Sequence, residues 1–262
     1  MAEEWRLTIP AVLESVPEAC EFVVRAAEAA SLDERAVYYC QLAVDEWCTN
    51  IIEHGYREQS NHQHIELSCE VYRGTVAITI RDKGPAFNPM TLTDTVQHKT
   101  VEAIEPGGLG WMLIRKVMDS VQYEFKNGRN QLTMVKKSTA PEVEPSKSAD
   151  VFPSRTLSGN VWVVTASGRL DTVGGRTLEA TFTTQFEAGH HWLVVDMSNV
   201  NYISSGGLKV LISAWRKSQK LGGGLVLAGL APKVRKVFEI SGFDTLFTIA
   251  ASVEDAVGNI TS

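Results

Sequence analysis

Nowhere in the 262 residues does an apolar run approach the ~18 residues that a membrane-crossing helix requires. The opening Met1-Ala2-Glu3-Glu4-Trp5 is acidic and has no apolar core of an export signal, so a cytoplasmic location with no membrane contact is expected. Dense basic runs are also missing; Lys136-Lys137 and Arg216-Lys217 are isolated pairs, and the formal charge is -6. That balance argues against a nucleic-acid or anionic-membrane surface as the main partner. The four cysteines, Cys20, Cys40, Cys48 and Cys69, make no C-x-x-C pair, which excludes the usual zinc and dithiol spacings. Free buried thiols in a reducing compartment are expected instead.

What the chain does have is the composition of a globular protein, 44% hydrophobic and 21% charged, with length for one large domain or two ordinary ones. Val44–Tyr56 reads V-D-E-W-C-T-N-I-I-E-H-G-Y. Val44, Trp47, Cys48 and Ile51 recur at helical spacing and mark a buried face. Glu46, Asn50 and His54 fall four apart and form a polar stripe on another side of the same helix. A carboxylate and a carboxamide one turn apart suit a general base beside a neutral oxygen ligand for Mg²⁺. Taken alone, the stripe is equally what a solvated helix face presents.

Around this helix the first half alternates. Trp5–Ile9 reads as a strand, Glu14–Ala30 as a helix and Ser31–Glu34 as a cap; Ile65–Tyr72 and Val76–Arg81 read as a hairpin. The hairpin runs into Asp82-Lys83-Gly84-Pro85, a strand-end acid on a rigid loop, able to accept from the exocyclic amine of adenine or simply to make a polar turn. Thr91–Pro106 lacks periodicity and could be a lid. Gly107-Gly108-Leu109-Gly110 precedes a helix expected over Trp111–Ser120, where backbone N–H groups could meet a phosphate. Val121–Phe125 and Gln131–Lys137 form a second hairpin about Asn127-Gly128.

In this order, E-x-x-x-N-x-x-x-H, D-x-G and G-G-L-G resemble the N, G1 and G2 boxes of the GHKL ATPases, and within them the small serine kinases of the anti-sigma-factor class. The resemblance covers Trp5–Lys137 and implies an α/β sandwich of the Bergerat type that binds ATP and Mg²⁺. By it, Glu46 is the general base, Asn50 the Mg²⁺ ligand and Asp82 the adenine reader, while Gly84, Gly108 and Gly110 shape the nucleotide loops. Ala86 stands where many relatives carry a second glycine, and Asn88 where these kinases often carry Asp.

Residues 138–154, with three prolines and no apolar period, read as a linker that would span roughly 20–25 Å as a flexible coil. It divides a first domain, 1–137, from a second, 155–262. In the second, Val161–Ala166 is expected as a strand, Gly168–Asp171 as a turn, Gly175–Phe186 as a helix and Trp192–Met197 as a buried strand. Ser198–Leu208 then reads as a loop leading into a helix to about Leu221, with Ser205 either a helix cap or an exposed hydroxyl open to phosphorylation. D-M-S-N-V-N-Y-I-S-S-G-G-L-K-V-L strongly resembles the STAS domains of anti-anti-sigma factors, a mixed sheet flanked by helices. That resemblance implies Ser205 as the phosphorylated serine, Asp171 and Asp196 as acids around it, and Gly206 where serine or alanine is usual.

Together the resemblances imply an α/β chain of two domains in which a serine kinase is fused to its own kind of substrate. Its partners would be anti-sigma and anti-anti-sigma type proteins, a sigma factor, its own STAS domain and a second copy in a homodimer. The alternative is a non-catalytic scaffold that binds ATP or sequesters a sigma factor or STAS partner.

Overall fold

The computed structural model describes residues 3–56, 63–91, 108–138, 154–156 and 161–261, and the chain divides into two compact units, Met1–Glu144 and Pro145–Ser262. The expected lid beyond Thr91 and the linker between Ser138 and Ser154 fall outside the described residues.

The first unit is one antiparallel sheet in the order β1-β2-β3-β5-β4, formed by Glu3–Pro10, His64–Tyr72, Thr75–Asp82, Arg129–Lys137 and Ser120–Lys126 respectively. Alternation decides its two faces. Ile65, Leu67, Cys69, Val76, Ile78, Ile80, Leu132 and Met134 are buried. The opposite parity is polar and pairs across strands, as in Thr79 Oγ1 to Thr133 Oγ1 at 3.2 Å and Arg81 Nε donating to Gln131 Oε1 at 2.6 Å. Helices α1 (Val16–Ala29), α2 (Glu34–Asn50) and α3 (Leu109–Val117) complete the unit, with α1 on the sheet and on α2, and α2 on α3. The β4–β5 hairpin closes through Asn127 and Gly128 at φ 54° and 71°, the left-handed pair that a type I′ turn requires.

The cap of α2 falls within the expected Ser31–Glu34 stretch, at Asp33, which accepts from the Ala36 N–H at 2.9 Å. One boundary in this unit differs from expectation. Helix α3 begins at Leu109 and stops at Val117, because Ser120 is already paired in β4. Lys136 Nζ, buried beneath it, donates to the Val117 carbonyl at 2.8 Å and to Asp119 at 3.2 Å, satisfying a helix-end acceptor with a positive charge.

The second unit is a mixed sheet in the order β10-β9-β8-β7-β6. Strands β7 (Val161–Leu170), β8 (Trp192–Ile203), β9 (Gly224–Ala228) and β10 (Thr248–Ala250) are parallel, and β6 (Ser154–Thr156) is antiparallel on one edge. Its helices are α4 (Thr172–Glu187), α5 (Ser205–Lys220), α6 (Pro232–Ser241) and α7 (Val253–Thr261). Val161, Val163, Val194, Val226 and Ala228 form a core with Val253, Ala256, Val257 and Ile260 of α7.

Here the sequence reading stops both central strands too early. Strand β7 runs through the expected turn to Leu170, with register shifts between Thr165 and Ser167 and between Gly168 and Arg169, and with Gly168 at φ 69°. Strand β8 runs through Ser198–Ile203, which pairs with that bulged segment. Pairing across strands overrides a polar composition that by itself suggests a loop.

The sheet ends force close contacts onto α5. A Cβ on Gly207 would collide with the Leu170 carbonyl, and one on Gly206 would lie 2.9 Å from Thr172 Oγ1. Gly207→Ala is expected to destabilise the second unit by about 1–3 kcal/mol, read from the midpoint of its denaturant transition.

Candidate nucleotide site and serine acceptor

In the first unit the expected residues lie at the junction of α2, α3 and the end of β3. Glu46 is 3% exposed in α2, and Asn50, the last residue of that helix, is half-buried. Beyond Asn50 the helix widens into a π turn over Ile51–Gly55. His54 lies in that turn and is exposed, so the expected stripe runs from core to solvent, and its last member leaves the four-residue row. Gly108 caps α3 at φ 96°, a left-handed conformation that favours glycine. Gly110 is the point of contact: a Cβ there would lie 2.5 Å from Glu46 Oε2 and 3.5 Å from Asn50 Nδ2. The first turn of α3 therefore rests directly on the carboxylate and carboxamide of α2. Trp47 and Trp111, with ring centroids 6.0 Å apart, hold the two helices in this alignment.

Asp82, 5% exposed, is the last residue of β3. Its Oδ1 accepts from the Gly84 N–H at 2.7 Å and from Asn130 Nδ2 at 3.0 Å, while Oδ2 accepts nothing from the described residues. Gly84 is a steric requirement, since a Cβ would stand 2.8 Å from Asp82 Oδ1. The loop is tied down on three sides. Asn130 Nδ2 reaches the Gly84 and Pro85 carbonyls at 3.2 and 3.1 Å; Asn130 Oδ1 accepts from Tyr123 Oη at 2.7 Å and from the Phe87 N–H at 3.3 Å. Tyr56 Oη, just past the π turn, accepts from the Lys83 N–H at 2.9 Å. Sequence reasoning missed Asn130, Tyr123 and Tyr56. The available signal was Asn130 itself, a carboxamide at the same strand parity as Leu132 and Met134.

Burial raises the Asp82 carboxyl above its ordinary value, and the Asn130 and Gly84 donors pull it partly back. The same burial pushes the Cys48 thiol far up, with Asp45 and Asp82 adding to it, so that thiol is inert. A cavity of about 350 Å³ bordered by Thr8, Glu66, Arg81, Asp82, Lys83 and Arg129 touches this loop but includes neither Glu46 nor Asn50.

In the second unit Ser204, not Ser205, is the N-cap residue of α5, and its side chain makes no capping bond. Ser205 opens the helix and is only 6% exposed, which corrects the expectation of an open hydroxyl. At the next position Thr172 packs on Gly206, with its Oγ1 2.9 Å and its backbone 3.0 Å from where a Cβ would stand, so a serine or alanine there would force Thr172 to shift. Asp171 caps α4, accepting from the Val173 and Gly174 N–H groups at 3.1 and 3.0 Å. Asp196 instead braces its own strand through the Ser198 N–H at 3.0 Å. It lies on the order of 20 Å along β8 from Ser205 by strand rise, which removes it from the serine's surroundings.

These two sets of residues fall within two domain families. Residues 9–136 match the histidine kinase-like ATPase domain and residues 153–256 match the STAS domain. Among similar proteins, the one named as anti-sigma factor antagonist BtrV of Bordetella bronchiseptica is 39% identical over 89 residues, 34% of this chain and 77% of that protein. The serine-protein kinase RsbW of Staphylococcus aureus is 30% identical over 92 residues, 34% of this chain and 58% of that kinase, so the chain spans somewhat under three-fifths of the kinase's length. A solved anti-sigma factor antagonist from Mycobacterium paratuberculosis aligns with 26% identity and a TM-score of 0.41, over 44% of this chain and all of that one. The chain belongs to the STAS-domain anti-sigma factor antagonist family and carries a histidine kinase-like ATPase domain ahead of its STAS domain.

The raised carboxyl of Asp82 has a signed consequence. Folding with that group ionised costs stability, and the cost is lost as pH falls through its raised folded value. Asp82→Asn, which keeps an acceptor for the Gly84 N–H, is expected to match or exceed the native chain's stability at pH 7. Denaturation followed across pH should show that gap closing on acidification.

Proposed function

We propose that the chain is an ATP- and Mg²⁺-dependent serine protein kinase joined to its own class of substrate, and that it acts in bacterial partner switching. The observation that carries this reading is the contact of Gly110 with Glu46 and Asn50, which brings a base, a neutral metal ligand and a helix N-terminus to one point. The residues fit the group they would hold. Asp82 Oδ2 would be open to the exocyclic amine of a base, Gly84 and Gly108 add no side chain to the loops, and the α3 N–H groups would be donors for a polyphosphate. Asn50 would hold Mg²⁺, with phosphate oxygens and water completing the shell, as this ion prefers.

Bound Mg-ATP supplies the γ-phosphoryl group. Glu46 would take the proton from the Ser205 hydroxyl, of the same chain or of another, as the serine oxygen bonds to phosphorus, and ADP would leave with the electrons of the broken P–O bond. A phosphate on Ser205 adds charge of about -2 at a packed surface and would weaken docking to a kinase-type domain. Partners would be anti-sigma and anti-anti-sigma type proteins, with a sigma factor or a second copy of this chain among them. A cytoplasmic setting suits the four buried, free cysteines; among the described residues no helix is long and apolar enough to cross a membrane.

The burial of Ser205 favours one second reading, a scaffold that binds nucleotide and sequesters a partner without transfer. The two readings separate at Glu46. Glu46→Gln should keep ATP affinity within about threefold by titration calorimetry while ADP release and phosphate incorporation fall by at least ~100-fold. Equal incorporation in native and variant chains would discard Glu46 as the base, and no incorporation in either would leave the scaffold.

A further inference from the structure

We propose that Arg169 is the counter-ion that lets the second unit accommodate a phosphoryl group on Ser205, shared between that group and Asp171. The proposal rests on Ser205 as the acceptor, as read above. Arg169 Nε lies 3.1 Å from Asp171 Oδ2, and the guanidinium carbon sits 3.7 Å above the centre of the buried Tyr202 ring. The stacked plane and the ion pair fix the position of a group that otherwise has high rotamer freedom.

The backbone register brings this segment alongside the start of α5. Arg169 pairs in register with Tyr202 and Leu170 with Ile203, and the Ser204 N–H donates to the Leu170 carbonyl at 3.1 Å. Thr172 then packs on Gly206. Residues 171–172 therefore run beside 204–206 at about one strand spacing, ~4.8 Å. A phosphoserine at 205 would stand next to the Asp171 carboxylate, and two anions so close repel unless a cation serves both. Asp171 cannot withdraw without uncapping α4, since its other oxygen holds the Val173 and Gly174 N–H groups. The guanidinium presents five donors in a planar fork, enough to bridge a carboxylate and a phosphate. The bulged, left-handed Gly168 sets this geometry by turning the end of β7 just before Arg169.

The test compares charge with shape at 205 in the full chain. Ser205→Glu and Ser205→Gln differ by one negative charge at nearly equal volume. With Arg169 present, the Glu variant should melt no lower than the Gln variant. With Arg169→Gln or Arg169→Met, it should melt below its Gln partner by about 4 °C by scanning calorimetry. Arg169→Lys, which keeps the charge, should restore the native order. A purely structural Arg169 would lower both 205 variants equally, and an unchanged Glu–Gln gap overturns the proposal. Because glutamate supplies the charge, this outcome is independent of any kinase. Missing phosphate on Ser205 with the coupling present rejects the phosphotransfer reading alone, and phosphate without coupling rejects this inference alone.

Discussion

A carbon atom that is not there organises the first unit. Because Gly110 has no Cβ, the first turn of α3 can lie on the Glu46 carboxylate and the Asn50 carboxamide, and the Trp47–Trp111 contact settles at that spacing. Everything downstream of the contact follows from it. The first turn of α3 thereby meets the buried side chain of Glu46 near the helix N-terminus, where the dipole favours negative charge. The far end of α3 is fixed by Lys136 on β5, whose Nζ donates to the Val117 carbonyl. The sheet then positions Asp82 one strand from Asn130, which ties down the loop that follows β3.

The second unit repeats the device at Ser205, the proposed acceptor. Gly206 and Gly207 admit Thr172 and the Leu170 carbonyl so closely that the starts of α4 and α5 form one packed corner. The corner buries Ser205, caps α4 with Asp171 and stacks Arg169 on Tyr202. The serine is thus both modifiable by type and shielded by packing. Under the proposed phosphotransfer, a kinase acting on it would have to open or grip the corner.

Much of this was legible in the sequence because the relevant signals are local. The helical period through Val44–Ile51, the strand–turn–strand patterns and the Asn127-Gly128 hairpin each depend on neighbours in the chain. Glu46, Asn50, Asp82, Gly84, Gly108 and Gly110 were likewise readable, as three short motifs in order. What the sequence hid depends on partners far away in the chain. The second half of β8 reads as a loop until β7 pairs with it, and β7 reads as ending at Ala166 until a bulge carries it on. Asn130 looks like a hairpin residue until Asp82 is beside it, and Ser205 looks exposed until the second unit packs around the start of α5. The π turn that removes His54 from its row has no local sequence mark at all.

The central claim is that one chain holds both a phosphoryl donor site and its acceptor. It is tested most directly by incubating the full protein with Mg-ATP and locating any added phosphate by tandem mass spectrometry. The account predicts a single phosphate, carried by Ser205 and lost with Ser205→Ala. Phosphate at another residue, or none in a chain that demonstrably binds ATP and a control STAS protein, would contradict it.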